Sequence, residues 1–266
     1  MKESAYTSRI IKASALIADT KTLLASWDPD QDTPTNLEHA RRTNLFGKAS
    51  RSRLEDILPI FRQRYFDDPN IGRALSILVK SNVPGQWIDP LLYYYSVKND
   101  RTLEAIVLDV IYPRKMSGYT DVSREQIERE VRNWVSEGKT TSHWGELTIQ
   151  NVVKNSLAAL RDFGVLKGKV NKTISPMYLP VKAFTFLAFE LWRHDHSGEK
   201  VLLSEDWKLF FLPSQGVERF FLEAHQEKLL AYYAAGSIIR LDFSVNSLEE
   251  MAYALVERSQ RAHTQA

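Results

Sequence analysis

Apolar residues recur at helical spacing along nearly the whole chain, and glycine or proline closes several of the runs. That pattern leaves little length for sheet and predicts a mostly α-helical fold. Ile10, Ile11, Leu16, Ile17, Leu23 and Leu24 mark residues 8–24 as one broken helix or two short ones. "SWDPDQDTPT" (26–35) stops that run with two prolines and three aspartates. Further helices are predicted over 37–46, 52–66, 87–97 and 102–111. The run then ends at Tyr112-Pro113, and "RKMSGYTD" reads as a linker. Ser123 opens the next helix with Gln126 at capping-box distance, Ile127, Val131, Trp134 and Val135 form its face, and Gly138 stops it. Helices over 148–163, 181–194, 217–230 and 247–258 complete the set, and only 165–179 and 237–243 read as extended.

A chain of 266 residues with 44% apolar content can fill one large core or two ordinary ones. We place a division at the linker, giving an N-terminal helical domain (1–115) and a C-terminal one (116–266). The chain has no cysteine, which excludes disulfides, thiol nucleophiles and cysteine-ligated zinc. The N-terminal residues break their apolar run with Lys12 and Asp19, unlike a signal peptide, and the most apolar windows fall well short of the roughly 20 residues that span a bilayer. A cytoplasmic protein without membrane contact is expected.

With 35 basic and 33 acidic side chains, net charge does not announce a polyanion partner, but its distribution does. Between Asn36 and Arg64, seven basic residues (Arg41, Arg42, Lys48, Arg51, Arg53, Arg62, Arg64) face three acidic ones (Glu38, Glu55, Asp56). A helix over 37–46, a turn at "GKAS" and a helix capped by Ser52 with Glu55 three residues on make a helix-turn-helix spacing, about 37–66. Arg51 and Arg53 then sit at a helix N-terminus, where they oppose the dipole unless an anion lies in front. The three acids can absorb at most three of the seven cations; otherwise this is an ordinary solvated face.

The second cluster lies on the predicted helix 148–163. Ile149, Val152, Val153, Leu157 and Leu160 line one side, and Asn151, Lys154, Asn155, Ala158 and Arg161 the other. Lys and Arg hold phosphates, while Asn and Arg reach base edges. A short hairpin carrying Lys167, Lys169 and Lys172 follows, as in a winged helix-turn-helix over about 123–180. The bland alternative is an amphipathic helix with a polar face, and the connection "KTTSHWGEL" is longer than the usual three or four residues.

No enzyme signature survives inspection. "GVLKGK" is one residue short between its glycines for a phosphate loop and lacks the following Ser or Thr. "DPDQDTPTNLEH" begins like a calcium loop but has Thr33 where glycine is required and His39 where glutamate should close the shell. No G-x-S-x-G elbow occurs. His194 and His196 fall at a helix end, where histidines suit the dipole, so no metal site is expected. Tyr93, Tyr94 and Tyr95 point around a helix and read as core in preference to base-stacking residues. Residues 190–228 hold eight acidic and five basic side chains, a scaffold or protein-contact surface.

At this point the chain resembles the BrxA family of bacteriophage exclusion (BREX) defence systems. The resemblance rests on "YTSRIIKASALIADTKTLL", "NLEHARRTNLFGKASRSRLEDILPIFRQRYF" and "SLAALRDFGVLKG", and spans nearly the whole length. It implies a mostly helical, DNA-binding accessory protein acting beside a methyltransferase, an ATPase and other components in host methylation and phage restriction. It brings no catalytic residues and no cofactor.

The expectation is therefore a non-enzymatic double-stranded DNA binder of weak sequence specificity, with other BREX components as partners. Arg41, Arg42, Lys48, Arg51 and Arg53 would hold backbone at the first site. Lys154, Arg161, Lys167, Lys169 and Lys172 would do so at the second, with Asn151 and Asn155 as base readers. Two units in one chain and no heptad seam predict a monomer. The rivals are an RNA-binding helical protein, which needs exposed aromatics beside the cations, and a protein–protein assembly adaptor of the defence complex.

Overall fold

The computed structural model describes residues 5–264 apart from Pro176 and Ser237, with side chains described through residue 259. The start of the extended stretch predicted over 237–243 thus lies outside the described residues. The chain is mostly α-helical. A 3-10 turn, Arg9–Lys12, precedes α1 (Ile17–Ser26), so residues 8–24 form two short pieces. Asp32 caps α2 (Thr33–Arg42) by accepting from the Thr35 amide at 2.9 Å. α3 (Arg51–Phe61) continues through Pro59 and passes into a π-helical turn, Arg62–Phe66.

α4 (Pro69–Lys80) was not anticipated, although its start signals are present. Asp68 accepts from the Asn70 amide, Pro69 opens the helix, and Ile71, Ala74, Leu75 and Leu78 form its buried face. α5 (Gly85–Lys98) follows, then α6 (Arg101–Ala105), a π-helical stretch Ile106–Ile111 and α7 (Tyr112–Met116). The expected stop at Tyr112-Pro113 is therefore corrected: Pro113 stands in the first turn of α7, where proline's missing N–H costs little.

β1 (Asp121–Val122) leads into α8 (Arg124–Ser136), whose capping box is complete. Ser123 Oγ accepts from the Gln126 amide at 3.3 Å and Gln126 Oε1 from the Ser123 amide at 2.9 Å. α9 (Glu146–Asp162) ends at Gly164, whose φ of +87° lets the chain turn back. β2 (Leu166–Lys167) and β3 (Lys172–Ile174) form the hairpin, and β1 joins it in an antiparallel sheet ordered β1-β3-β2. The rest comprises α10 (Val181–Asp195), α11 (Gly198–Leu202), α12 (Ser214–Gln226), the hairpin β4 (Ala231–Ala235) with β5 (Ile238–Asp242), and α13 (Leu248–Thr264). The helix predicted over 217–230 thus stops four residues early, and "AYYAA" is strand.

One cluster of buried side chains includes residues from both sides of the 115/116 division. α5 is central to this. Tyr93, Tyr94 and Tyr95 are all buried, and the Tyr93 ring meets Phe163 after α9 and Phe210 in the C-terminal third, each at 5.6 Å. Their hydroxyls are partly committed too: Tyr93 donates to the Leu209 carbonyl and Tyr94 to Asp206. Such packing holds the end of α9 and the C-terminal third on α5, and Tyr65, in the continuation of α3, bonds to Ser96 of the same helix at 2.6 Å. Among the described residues, no helix is long and apolar enough to cross a membrane.

Candidate nucleic-acid interface

The second basic region is built on α8, α9 and the hairpin. Ile149, Val152, Val153, Leu157 and Leu160 bury one side of α9, as their spacing requires. The solvent side carries exposed Leu147, then Asn151, Lys154, Ala158 and Arg161, with i, i+4, i+7 regularity. Arg132 of α8 pairs with Glu146 at 2.6 Å and with Glu128 at 2.8 Å, tying the two helices together. Between the start of α8, the face of α9 and the hairpin lies a concavity of about 530 Å³, bordered by Arg124, Lys154, Arg161 and Lys169.

Not every predicted cation is available there. The side chains of Lys154, Lys167 and Lys169 are exposed and make no hydrogen bond or ion pair among the described residues. Arg161 is also exposed but pairs with Asp162 at 2.8 Å. Lys172 is different. It is 7% exposed, and its ammonium donates to the Gly168 and Lys169 carbonyls at 2.7 and 3.0 Å, closing the hairpin. Burial, with help from Arg161, pushes its pKa down. Asn155 donates to the Asn151 carbonyl at 2.8 Å, so its amide is engaged with its own helix. Nine residues separate α8 from α9, and Tyr6 braces this connection: its backbone bonds to Lys139 and Thr141, and its ring stacks on Trp134 at 4.1 Å.

The first basic region differs from its sequence reading in register. α2 ends at Arg42, eight residues before α3, and the cap of α3 is Ser50, which accepts from the Arg53 amide; Ser52 already lies in the helix. Arg51 therefore occupies the first helical position. Arg41, Arg42, Lys48 and Arg51 line a shallow depression of about 520 Å³ with Glu38 and Asn44. Arg41 pairs with Glu38 at 2.6 Å and Glu55 at 3.1 Å. Lys48 reaches Asp19 of α1 at 2.8 Å, a partner 29 positions away that local counting of acids could not supply. The Arg53 guanidinium donates to the Lys12 carbonyl. Arg64 is 2% exposed and donates to the Ser14 and Ala15 carbonyls, so it supports the fold. The side chains of Arg42, Arg51 and Arg62 are exposed and have no ion-pair partner among the described residues.

The other candidates resolve simply. His196 ends α10 in the left-handed region and packs edge-on to Trp192, while His194 lies 3.4 Å from Glu190. No group of three or more metal-ligating side chains occurs among the described residues. No curated protein matches the chain. A family model does: that of BrxA, over residues 4–190, a span that contains both basic regions and ends within α10.

Proposed function

The chain belongs to the BrxA family, and hence to the proteins associated with BREX phage defence, and from that premise we propose that it is a non-enzymatic, double-stranded DNA-binding accessory protein. In this reading α8, α9 and the hairpin are a winged helix-turn-helix, α2 and α3 a second, looser unit, and the protein supports host methylation and phage restriction alongside other BREX components.

The observation that carries the reading is the second region. A strand, two helices and a hairpin follow in order, and the solvent face of α9 lies across one concavity from the lysine-bearing hairpin tip. A helix can enter a major groove while a neighbouring basic loop grips the flanking backbone. Lys154, Lys167 and Lys169 serve as phosphate contacts and Asn151 as a base reader. Because the free cations outnumber the free amides, recognition depends mainly on backbone and shape.

Single-stranded RNA is the less favoured ligand. Tyr93, Tyr94 and Tyr95 are buried and offer no stacking platform, and Tyr119, though exposed, has its ring covered by the Arg114 guanidinium at 4.4 Å. A gel shift comparing duplex DNA, single strands and double-stranded RNA at two salt concentrations tests the assignment. Preference for duplex DNA that weakens with salt is expected. Equal binding of single-stranded RNA, or no binding of any nucleic acid, would refute it.

A further inference from the structure

Leu147 is the second residue of α9, and 71% of its surface is exposed. It belongs neither to the buried cluster nor to the partly buried side chains packed against that cluster, so the core makes no use of it. A lone exposed leucine needs no explanation in itself. This one is set apart by what shares its face. At about 100° per residue, Asn151 and Lys154 lie within about 40° of it round the helix. They follow it by about 6 Å and about 10.5 Å along the axis.

The longer polar side chains around it are turned aside. Glu146 accepts from Arg132 of α8 at 2.6 Å and from Gln150 at 2.9 Å, and Asn155 donates to the Asn151 carbonyl. The Asn151 side chain makes no hydrogen bond among the described residues. The first turn of α9 is thus tied to α8, and it presents one apolar group beside a free amide and a free ammonium. These suit three different parts of a major groove. An ammonium meets phosphate, and an amide bonds the edge of adenine. The apolar group that the groove offers in return is the C5-methyl of thymine. Neither the methyl nor the leucine side chain carries a donor or acceptor, so bringing them together takes both out of water and leaves no polar group unpaired.

We propose that Leu147 is a base-reading residue that packs on a thymine methyl in the major groove. The inference rests on the duplex-binding reading above and adds to it a modest preference for thymine. The methyl lies on the major-groove edge alone, so the contact also commits α9 to that groove. A protein-docking role would place Leu147 in a wider apolar patch. No other large apolar side chain of α8 or α9 is exposed, and the neighbours on its face are an amide and an ammonium.

The test compares two labelled duplexes of the same mixed sequence, one with thymine and the other with uracil at every such position. Uracil lacks the methyl and keeps the base pairing. By fluorescence anisotropy at about 100 mM salt, the wild-type protein should bind the thymine duplex about four-fold more tightly, the worth of one methyl group taken out of water. Leu147→Ser should bind the two duplexes equally, at the wild-type affinity for the uracil duplex. Leu147→Met, which keeps an apolar side chain there, should keep the preference. Equal binding of the two duplexes by the wild-type protein overturns the proposal while leaving the duplex reading standing. So does a preference that survives in Leu147→Ser, because it would then come from the shape of the DNA. Failure of the wild-type protein to bind either duplex overturns both readings.

Discussion

Replacing Lys154, Lys167 and Lys169 together with glutamine isolates the electrostatic work of the second region. All three are exposed and unpaired, so the substitution breaks no ion pair and buries nothing. In the wild-type protein Arg42, Arg51 and Arg62 are the corresponding free cations of the first region. If each of the six neutralises one phosphate, the slope of log affinity against log salt is about −5. The triple variant should then be flatter by about 2.7. Over a four-fold rise in salt, a slope of about −5 costs on the order of 10³ in affinity, and the variant should lose only roughly 40-fold. Because both regions share one rigid scaffold, the second engagement is intramolecular, and the variant should also bind far more weakly than three contacts alone imply. Anisotropy of a labelled duplex of about 30 base pairs, long enough to meet both regions, reads slope and affinity together. The matched control removes the same charge from the C-terminal third, as Lys200→Gln, Lys228→Gln and Arg240→Gln, and should leave the slope where it was. An equal flattening by the control would show that overall charge governs binding and would refute the site. So would a triple variant with the wild-type slope.

Three further outcomes test the fold around the site. Arg64→Met removes two hydrogen bonds to buried carbonyls and should lower unfolding free energy by roughly 3 kcal/mol in a denaturant titration, without flattening the salt slope; an unchanged midpoint would place Arg64 among the surface cations. Burial pushes the Asp100 carboxyl pKa up, with Arg64 opposing the shift only in part, so ionisation of Asp100 costs folding free energy above its unfolded pKa and nothing below it. Asp100→Asn keeps a side-chain acceptor for the Leu103 amide; it should stabilise the protein at about pH 7 and have no effect at about pH 3, and destabilisation at neutral pH would contradict that account. Gly168 has φ of +91°, and an added Cβ would lie 2.1 Å from the Asn171 carbonyl oxygen. Gly168→Ala should therefore distort the hairpin tip and weaken duplex binding about as much as neutralising Lys167 and Lys169; wild-type affinity would show that the hairpin takes no part.

Local signals were legible where the physics is local. Ser123 with Gln126 gave the start of α8, Gly138 and Gly164 gave stops, and the face of α9 followed from its 3.6-residue period. The run of three tyrosines in α5 reads as core, and all three are buried. Registers failed where two caps competed: Ser50 and Ser52 are equally plausible by type, and the backbone chose the one that lets Leu54, Ile57, Leu58 and Phe61 pack inward. α4 is less legible: its Asp-Pro start follows the π-helical turn at once, with only Asp67 and Asp68 between them to mark a boundary. Charge fate was the least legible quantity. Lys48 finds Asp19, Arg53 finds the Lys12 carbonyl, Arg64 is buried, and Lys172 turns back on its own hairpin. Each of the first three depends on a contact spanning 29 to 50 positions, which local charge counting does not register.

The N-terminal segment also sets a schedule for assembly. Thr7 exchanges hydrogen bonds with Thr102, 95 positions on, and the backbone of Tyr6 bonds to Lys139 and Thr141. During translation at about 5–20 residues per second, Tyr6 therefore waits roughly 7–27 s before its docking loop has been made. α2, α3 and α4 can settle against one another in the meantime, but Ile10 and Tyr6 have no burial site of their own until α9 and Trp134 arrive. Closure then draws together stretches more than a hundred residues apart, the kind of contact that slows folding. Nascent chains halted before residue 139 should hold the first basic region with Tyr6 and Ile10 undocked, leaving two apolar side chains for a chaperone to cover.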